Sequence, residues 1–123
     1  MIYKKTWKYI LIRTNSCVRL YKLKAVKDFS DVCKNYIGGY VGGYHNLSQE
    51  GNCWVYDEAI VSDNARISEN AIVAGRAIVF DNSIISGNAL VCDKAQIYGN
   101  ANICGITKIS GNTMLSGNII VSE

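Results

Sequence analysis

From residue 51 onward the chain repeats apolar and polar residues with a period of six. Residues 51 to 122 divide without insertion into twelve hexads: GNCWVY, DEAIVS, DNARIS, ENAIVA, GRAIVF, DNSIIS, GNALVC, DKAQIY, GNANIC, GITKIS, GNTMLS and GNIIVS. The fifth position is aliphatic in all twelve, from Val55 and Val61 through Ile67, Val91 and Ile103 to Val121. The third is small in the first nine (Cys53, Ala59, Ala65, Ala71, Ala77, Ser83, Ala89, Ala95, Ala101) and then grows to Thr107, Thr113 and Ile119. Positions one and two are mostly Gly, Asp or Glu followed by Asn, residue types that tolerate left-handed backbone. Each hexad therefore reads as a short strand, with one branched and one small side chain turned inward, followed by a corner.

A helix does not repeat every six residues, and an antiparallel meander needs a hairpin signal about every ten. A stacked parallel coil remains. Three hexads close one triangular turn of 18 residues, so the twelve predict about four coils over 51–123, with residues 1–50 as an N-terminal capping segment. Residues 18 apart then stack. One corner lines up Asn64, Asn82, Asn100 and Asn118, a second Asn52, Asn70 and Asn88, and a third Glu58, Arg76, Lys94 and Asn112. Side-chain amide ladders of this kind favour stacked strands. The enlarged third positions near the C-terminus are expected to plug the open triangle.

An uncovered end of such a stack invites edge pairing, and the N-terminal segment is expected to cover one end. Residues 8 to 13 and 18 to 24 read as two strands across a Thr14-Asn15-Ser16 turn, and residues 25 to 32 as a helical turn carrying Val26, Phe29 and Val32. Gly38-Gly39 and Gly42-Gly43 lead into the coil. The predicted fold is thus all-β: a parallel β-helix with a small hairpin and short-helix cap.

Charge divides near the same boundary. Residues 1–38 carry nine Lys or Arg against two Asp, a net +7, and the rest carries four against eight acids, a net −4. The basic residues Lys4, Lys5, Lys8, Arg13, Arg19, Lys22, Lys24 and Lys27, interleaved with Trp7, Tyr9 and Tyr21, suit contact with a protein or an acidic macromolecule; lysines on edge strands also guard against edge pairing. Five cysteines without a C-x-x-C pair, and a single histidine, argue against a structural zinc site. No apolar run approaches the roughly 18 residues that span a membrane, and no leader pattern is visible, so a cytoplasmic protein without a cofactor is expected.

The hexads resemble the left-handed β-helix family, and the left hand is implied by that resemblance. LYKLKAVKDFSDV (from Leu20) and IGGYVGGYHNLSQEGNCWVYDEA (from Ile37) are similar to the N-terminal signature of the YdcK-like hexapeptide-repeat proteins, over roughly residues 18 to 122. The sequence departs from that pattern at Gly42 to His45, where such proteins tend to be acidic. The resemblance implies a fold often labelled acyltransferase. Such enzymes generally use a histidine base within the coils, bind acyl-CoA between subunits and carry loops that interrupt the coils. Here the one histidine, His45, precedes the hexads, which no loop interrupts, so His45 is only a weak catalytic candidate. The corner acids Asp57, Asp63, Asp81 and Asp93 are what a repeated tight turn selects.

Positions four and six point outward. One face carries Trp54, Tyr56, Ile72 and Leu90, and a second carries Ile60, Ile78, Phe80, Tyr98 and Met114, more apolar surface than a small monomer exposes. These residues are expected at a homo-oligomer interface, first a trimer and second a dimer. The resulting expectation is a non-catalytic, self-associating module for protein binding or scaffolding. An acyltransferase-like enzyme acting at subunit boundaries, and a small phage-type protein binding a host macromolecule, stand as alternatives.

Overall fold

The computed structural model describes residues 6–15 and 19–122. Its N-terminal cap opens with an antiparallel hairpin of β1 (Tyr9–Arg13) and β2 (Tyr21–Ala25), followed by β3 (Ile37–Val41) and a 3₁₀ turn over Tyr44–Asn46. The hexads then supply twelve two-residue strands in three stacks. The first face holds β4 (Trp54–Val55), β7 (Ile72–Val73), β10 (Leu90–Val91) and β13 (Lys108–Ile109). The second holds β5 (Ile60–Val61), β8 (Ile78–Val79), β11 (Gln96–Ile97) and β14 (Met114–Leu115). The third holds β6 (Arg66–Ile67), β9 (Ile84–Ile85), β12 (Asn102–Ile103) and β15 (Ile120–Val121). All pairs within these stacks are parallel and in register at 18 residues, as in Val55 with Val73 and Val91 with Ile109.

Parallel stacking also begins before the hexads. β3 pairs with β5 through Tyr40–Ile60 and Val41–Val61, and Leu47 bridges to Ile67. The second face therefore has five parallel levels, and the solenoid has about five turns where the hexads predict about four. The added coil escapes the hexad pattern because it pairs with residues 20 positions on, where the hexads pair at 18, and because Gly39 stands at the level of Ala59, although Val41 keeps the branched inward place. A Cβ on Gly38 would lie 2.6 Å from the Val55 carbonyl oxygen and 2.9 Å from the Trp54 ring, so only glycine lets β3 approach that closely.

The core is a column of the third and fifth hexad positions. Every third-position residue from Cys53 to Ala101 and every fifth-position residue from Val55 to Ile103 is at most 1% exposed. Burial of a branched aliphatic contributes roughly 1.5–3 kcal/mol, so the repeated inward pair dominates the stability of the stack. At the last coil the column opens, with Ile119 at 37% exposure, so the enlarged side chains leave that triangle partly open.

The corners explain the polar half of the repeat. All twelve first positions have positive φ, between 54° and 76°, and hold Gly, Asp or Glu. Each acidic one also accepts an N–H from the corner one coil on. The carboxylates of Asp57, Asp63, Glu69, Asp81 and Asp93 accept from Gly75, Asp81, Gly87, Gly99 and Gly111 at 2.9–3.2 Å. The corner acids are structural ties between coils. The amide ladders are partial: Asn64 donates to Asn82 (3.2 Å), Asn100 donates to Asn118 (3.1 Å), and Asn70 accepts the backbone N–H of Asn52 (3.3 Å).

Within the cap, residues 25 to 32 do not form the expected helical turn. Phe29 and Val32 exchange two backbone hydrogen bonds (2.9 and 2.7 Å), Ser30 has φ 46°, and the Asp28 carboxylate accepts the Lys34 N–H at 2.7 Å. A short acidic side chain that accepts a loop N–H competes with helix formation. The loop instead delivers Phe29 edge-on to Trp54, 5.2 Å between ring centroids. Of the expected strands, the first is β1 and the second starts later, at Tyr21; Val18 and Ser16 lie outside the described residues.

Candidate functional site

The one histidine sits at the junction of cap and solenoid, and a buried asparagine holds it there. Asn46 is 0% exposed; its Oδ1 accepts the N–H groups of Gly42 (2.9 Å) and Gly43 (3.0 Å), and its Nδ2 donates to the carbonyls of Ala65 (2.8 Å) and Asp63 (3.2 Å). Such a fully satisfied buried amide fixes the 3₁₀ turn on the third face. His45, exposed on that turn, donates from Nε2 to the Asp63 carbonyl at 2.7 Å. Because a carbonyl can only accept, that contact places an N–H on Nε2 and leaves Nδ1 without a hydrogen bond among the described residues.

His45 borders three surface depressions. The largest, about 590 Å³, runs down the corner past Asp63, Asn64, Asp81, Asn82 and Asn100. Another, about 490 Å³, lies under Arg19 and Leu20 beside Ile60 and Ser62. The third is a cleft of about 540 Å³ between the hairpin and the turn. The carboxylates of Asp63 and Asp81 that reach the first are already tied to backbone N–H groups, so neither orients the imidazole. Among the described residues no group of three or more His, Cys, Asp or Glu side chains could hold a metal ion.

Two sequence-derived site residues are placed differently from expectation. Lys8, expected among the macromolecule-binding cations, is 1% exposed; its ammonium donates to the carbonyls of Cys53 (2.7 Å) and Gly51 (3.3 Å), contacts Cys53 Sγ at 3.3 Å and lies 5.1 Å above the Phe29 ring. Burial pushes its pKa down and that of the Cys53 thiol up, while each group's attraction for the other opposes the shift. Trp54, expected on an outer interface, is 0% exposed because Tyr9 and Phe29 pack edge-on against it from the cap, at 6.1 and 5.2 Å. Both residues serve the junction, and neither is available to a partner.

The remaining candidates are on the surface. Arg13, Arg19 and Lys27 are exposed, while Lys22 and Lys24 are half-buried on β2, Lys22 lying 4.3 Å above the Tyr40 ring; Lys4 and Lys5 are outside the described residues. On the first face Tyr56 packs against Tyr36, and Ile72 and Leu90 are half-buried. On the second, Ile60 and Ile78 are half-buried, Phe80 and Tyr98 stack at 5.1 Å and 9°, and Met114 is exposed. β1 and β2 extend this second sheet edge-on through β3 and do not lie across it.

Sequence reasoning missed two polar clamps. One is Asn46. The other is Gln49, whose Oε1 accepts the N–H groups of Lys8 (2.7 Å) and Tyr9 (3.1 Å) and whose Nε2 donates to the Tyr9 carbonyl (3.0 Å). Their only signal was an amide side chain close to the apolar Leu47.

Among the described residues no helix is long and apolar enough to cross a membrane. No family model matches the chain. It is 39% identical over 62 residues to the Escherichia coli (strain K12) protein named uncharacterized acetyltransferase YdcK, a match taking in 45% of this chain. The matched part is 19% of that protein, so the chain spans about a fifth of the length of the curated relative it matches. Twelve stacked hexads closed by a hairpin cap, together with this match, fit a YdcK-like hexapeptide-repeat protein with a left-handed β-helix.

Proposed function

We propose that the chain is a non-catalytic, self-associating β-helix module that binds or scaffolds other proteins in the cytoplasm. The observation that carries this reading is the second face, where the stacked Phe80–Tyr98 pair and the outward Ile60 and Ile78 form an apolar patch on an uninterrupted sheet, with Met114 beyond Gln96 in the same stack. Aromatic anchors in a contiguous apolar patch are what a protein interface uses. A side-by-side trimer is the first assembly to test and a dimer the second. The test is solution mass by light scattering for the wild type and for Phe80→Lys. The expected result is a discrete oligomer that dissociates in the variant, whereas a wild-type monomer at every concentration would overturn self-association.

A second reading is favoured by the geometry of His45, whose Nδ1 is left open beside three depressions. In this reading the chain is acyltransferase-like, as the name of the matched relative suggests, and His45 takes the proton of an acceptor hydroxyl or amine at a subunit boundary. Saturable acyl-CoA binding that is lost in His45→Gln would establish it over the scaffold. Calorimetry showing no such binding in the assembled protein would remove it.

A further inference from the structure

The cleft between the hairpin and the 3₁₀ turn has walls set by strand register. Arg13 pairs directly with Tyr21, and Leu11 with Leu23. Directly paired residues share a face of the sheet, as do alternate residues along one strand. Tyr9 faces inward and is fully buried, so Leu11, Arg13 and Tyr21 project from the same side of the hairpin as Tyr9. Opposite them, Asn46 holds the Gly42–Gly43 backbone, and Tyr44 stacks on Tyr9 (5.8 Å, 25°) while its hydroxyl accepts the Leu11 N–H at 3.2 Å. The cleft is open to solvent on one side and measures about 540 Å³, within the range of small-molecule sites.

Its chemistry is uneven in a way that selects a ligand. Two tyrosines and a leucine supply apolar and aromatic wall, Arg13 supplies a cation, and none of the lining residues is acidic. The Arg13 guanidinium has no ion-pair partner among the described residues. A planar guanidinium pairs best with a planar carboxylate, through two parallel hydrogen bonds. The net charge of +7 over residues 1–38 draws anions toward this end of the molecule.

We propose that this cleft is a binding site for a small aromatic carboxylate, with the carboxylate on Arg13 and the ring between Tyr21, Tyr44 and Leu11. The site lies entirely within one chain, so it depends neither on self-association nor on acyl transfer. Its glycines serve it directly: a Cβ on Gly43 would sit 2.9 Å from His45 Nδ1 and crowd the turn that forms one wall.

The experiment is a titration of the ¹⁵N-labelled full chain with benzoate, followed in ¹H–¹⁵N spectra, beside an identical titration with neutral benzamide. Benzoate is expected to give saturable shifts at the amides of Gly42, Gly43, Tyr44 and His45, and benzamide none. Arg13 is exposed, so Arg13→Gln keeps the fold, which the unshifted remainder of the spectrum verifies; the variant is expected to bind at least about tenfold more weakly, from loss of a charge-assisted pair. Shifts scattered over the basic N-terminal region without saturation, equal shifts with benzamide, or an unchanged response in Arg13→Gln would each overturn the proposal.

Discussion

Trp54→Ala tests how the N-terminal cap is held to the solenoid. The indole is 0% exposed and is gripped edge-on by Tyr9 and Phe29. Truncating a buried tryptophan to alanine costs about 3–5 kcal/mol. One term works the other way: Nε1 has no hydrogen-bond partner in the structure, and removing an unsatisfied buried donor relieves about 1–3 kcal/mol of desolvation penalty. The measured truncation range already averages over such sites, so we expect a loss near its lower end, about 3 kcal/mol. Ile72 stands one coil along in the same column but is only half-buried, and Ile72→Ala should cost about 1–2 kcal/mol. Urea unfolding followed by far-UV circular dichroism gives both losses. A second readout is local: Cys53, buried beneath the cap, should become reactive to a thiol reagent in Trp54→Ala under native conditions. If the two substitutions cost the same and Cys53 stays protected, the cap is not anchored by Trp54 and the account of the junction fails.

The remaining predictions concern the core, the corners and the alkaline limit. Val91→Asp places an unpaired charge at a 0% exposed position and should abolish the folded state, whereas Asn102→Asp on the outer face should change stability by less than about 0.5 kcal/mol; equal tolerance of both in circular dichroism would mean that the register is wrong. Gly75→Ala adds a Cβ 2.9 Å from the Asp93 backbone nitrogen at φ +66°, while Gly111→Ala has the same kind of φ with nothing within 4 Å, so the first should lower the urea midpoint more than the second. Burial raises the Cys53 and Tyr9 pKa values above their ordinary 9.0 and 10.0, so above those pH values the folded state holds more protons than the unfolded and stability falls. Burial lowers Lys8 from 10.5, so between its folded value and 10.5 the unfolded state holds more protons and stability rises. Lys8→Met removes the rising part, and with it the attraction that opposes the upward shift of Cys53, so it should steepen the loss above about pH 9 in urea midpoints taken from about pH 7 to 11; identical profiles for the two proteins would refute this.

Much of the solenoid was legible because a repeat is a local property copied many times. Each hexad meets the same demands for one aliphatic, one small and one left-handed residue, and twelve repetitions leave no second register. The corner acids were readable for the same reason, although their ties to the next coil's N–H groups were not. The N-terminal cap offered one copy of everything. Residues 25 to 32 carried a plausible apolar spacing, and only the Asp28–Lys34 hydrogen bond and the demand of Trp54 for a covering ring turned them into a loop.

The sequence by itself determined the strand period, the 18-residue stacking and the need for a cap, since these follow from side-chain size and backbone tolerance within six consecutive positions. Only the tertiary structure decided that Lys8 and Trp54 belong to the interior, that Asn46 and Gln49 clamp the junction, that an extra coil begins at Ile37, and that a cleft opens between hairpin and turn. Lys8 meets Cys53 across 45 positions and Gln49 meets Tyr9 across 40. Contacts that distant, each made once, leave no periodic trace in the chain: burial of a cation or an indole is settled by what folds over it.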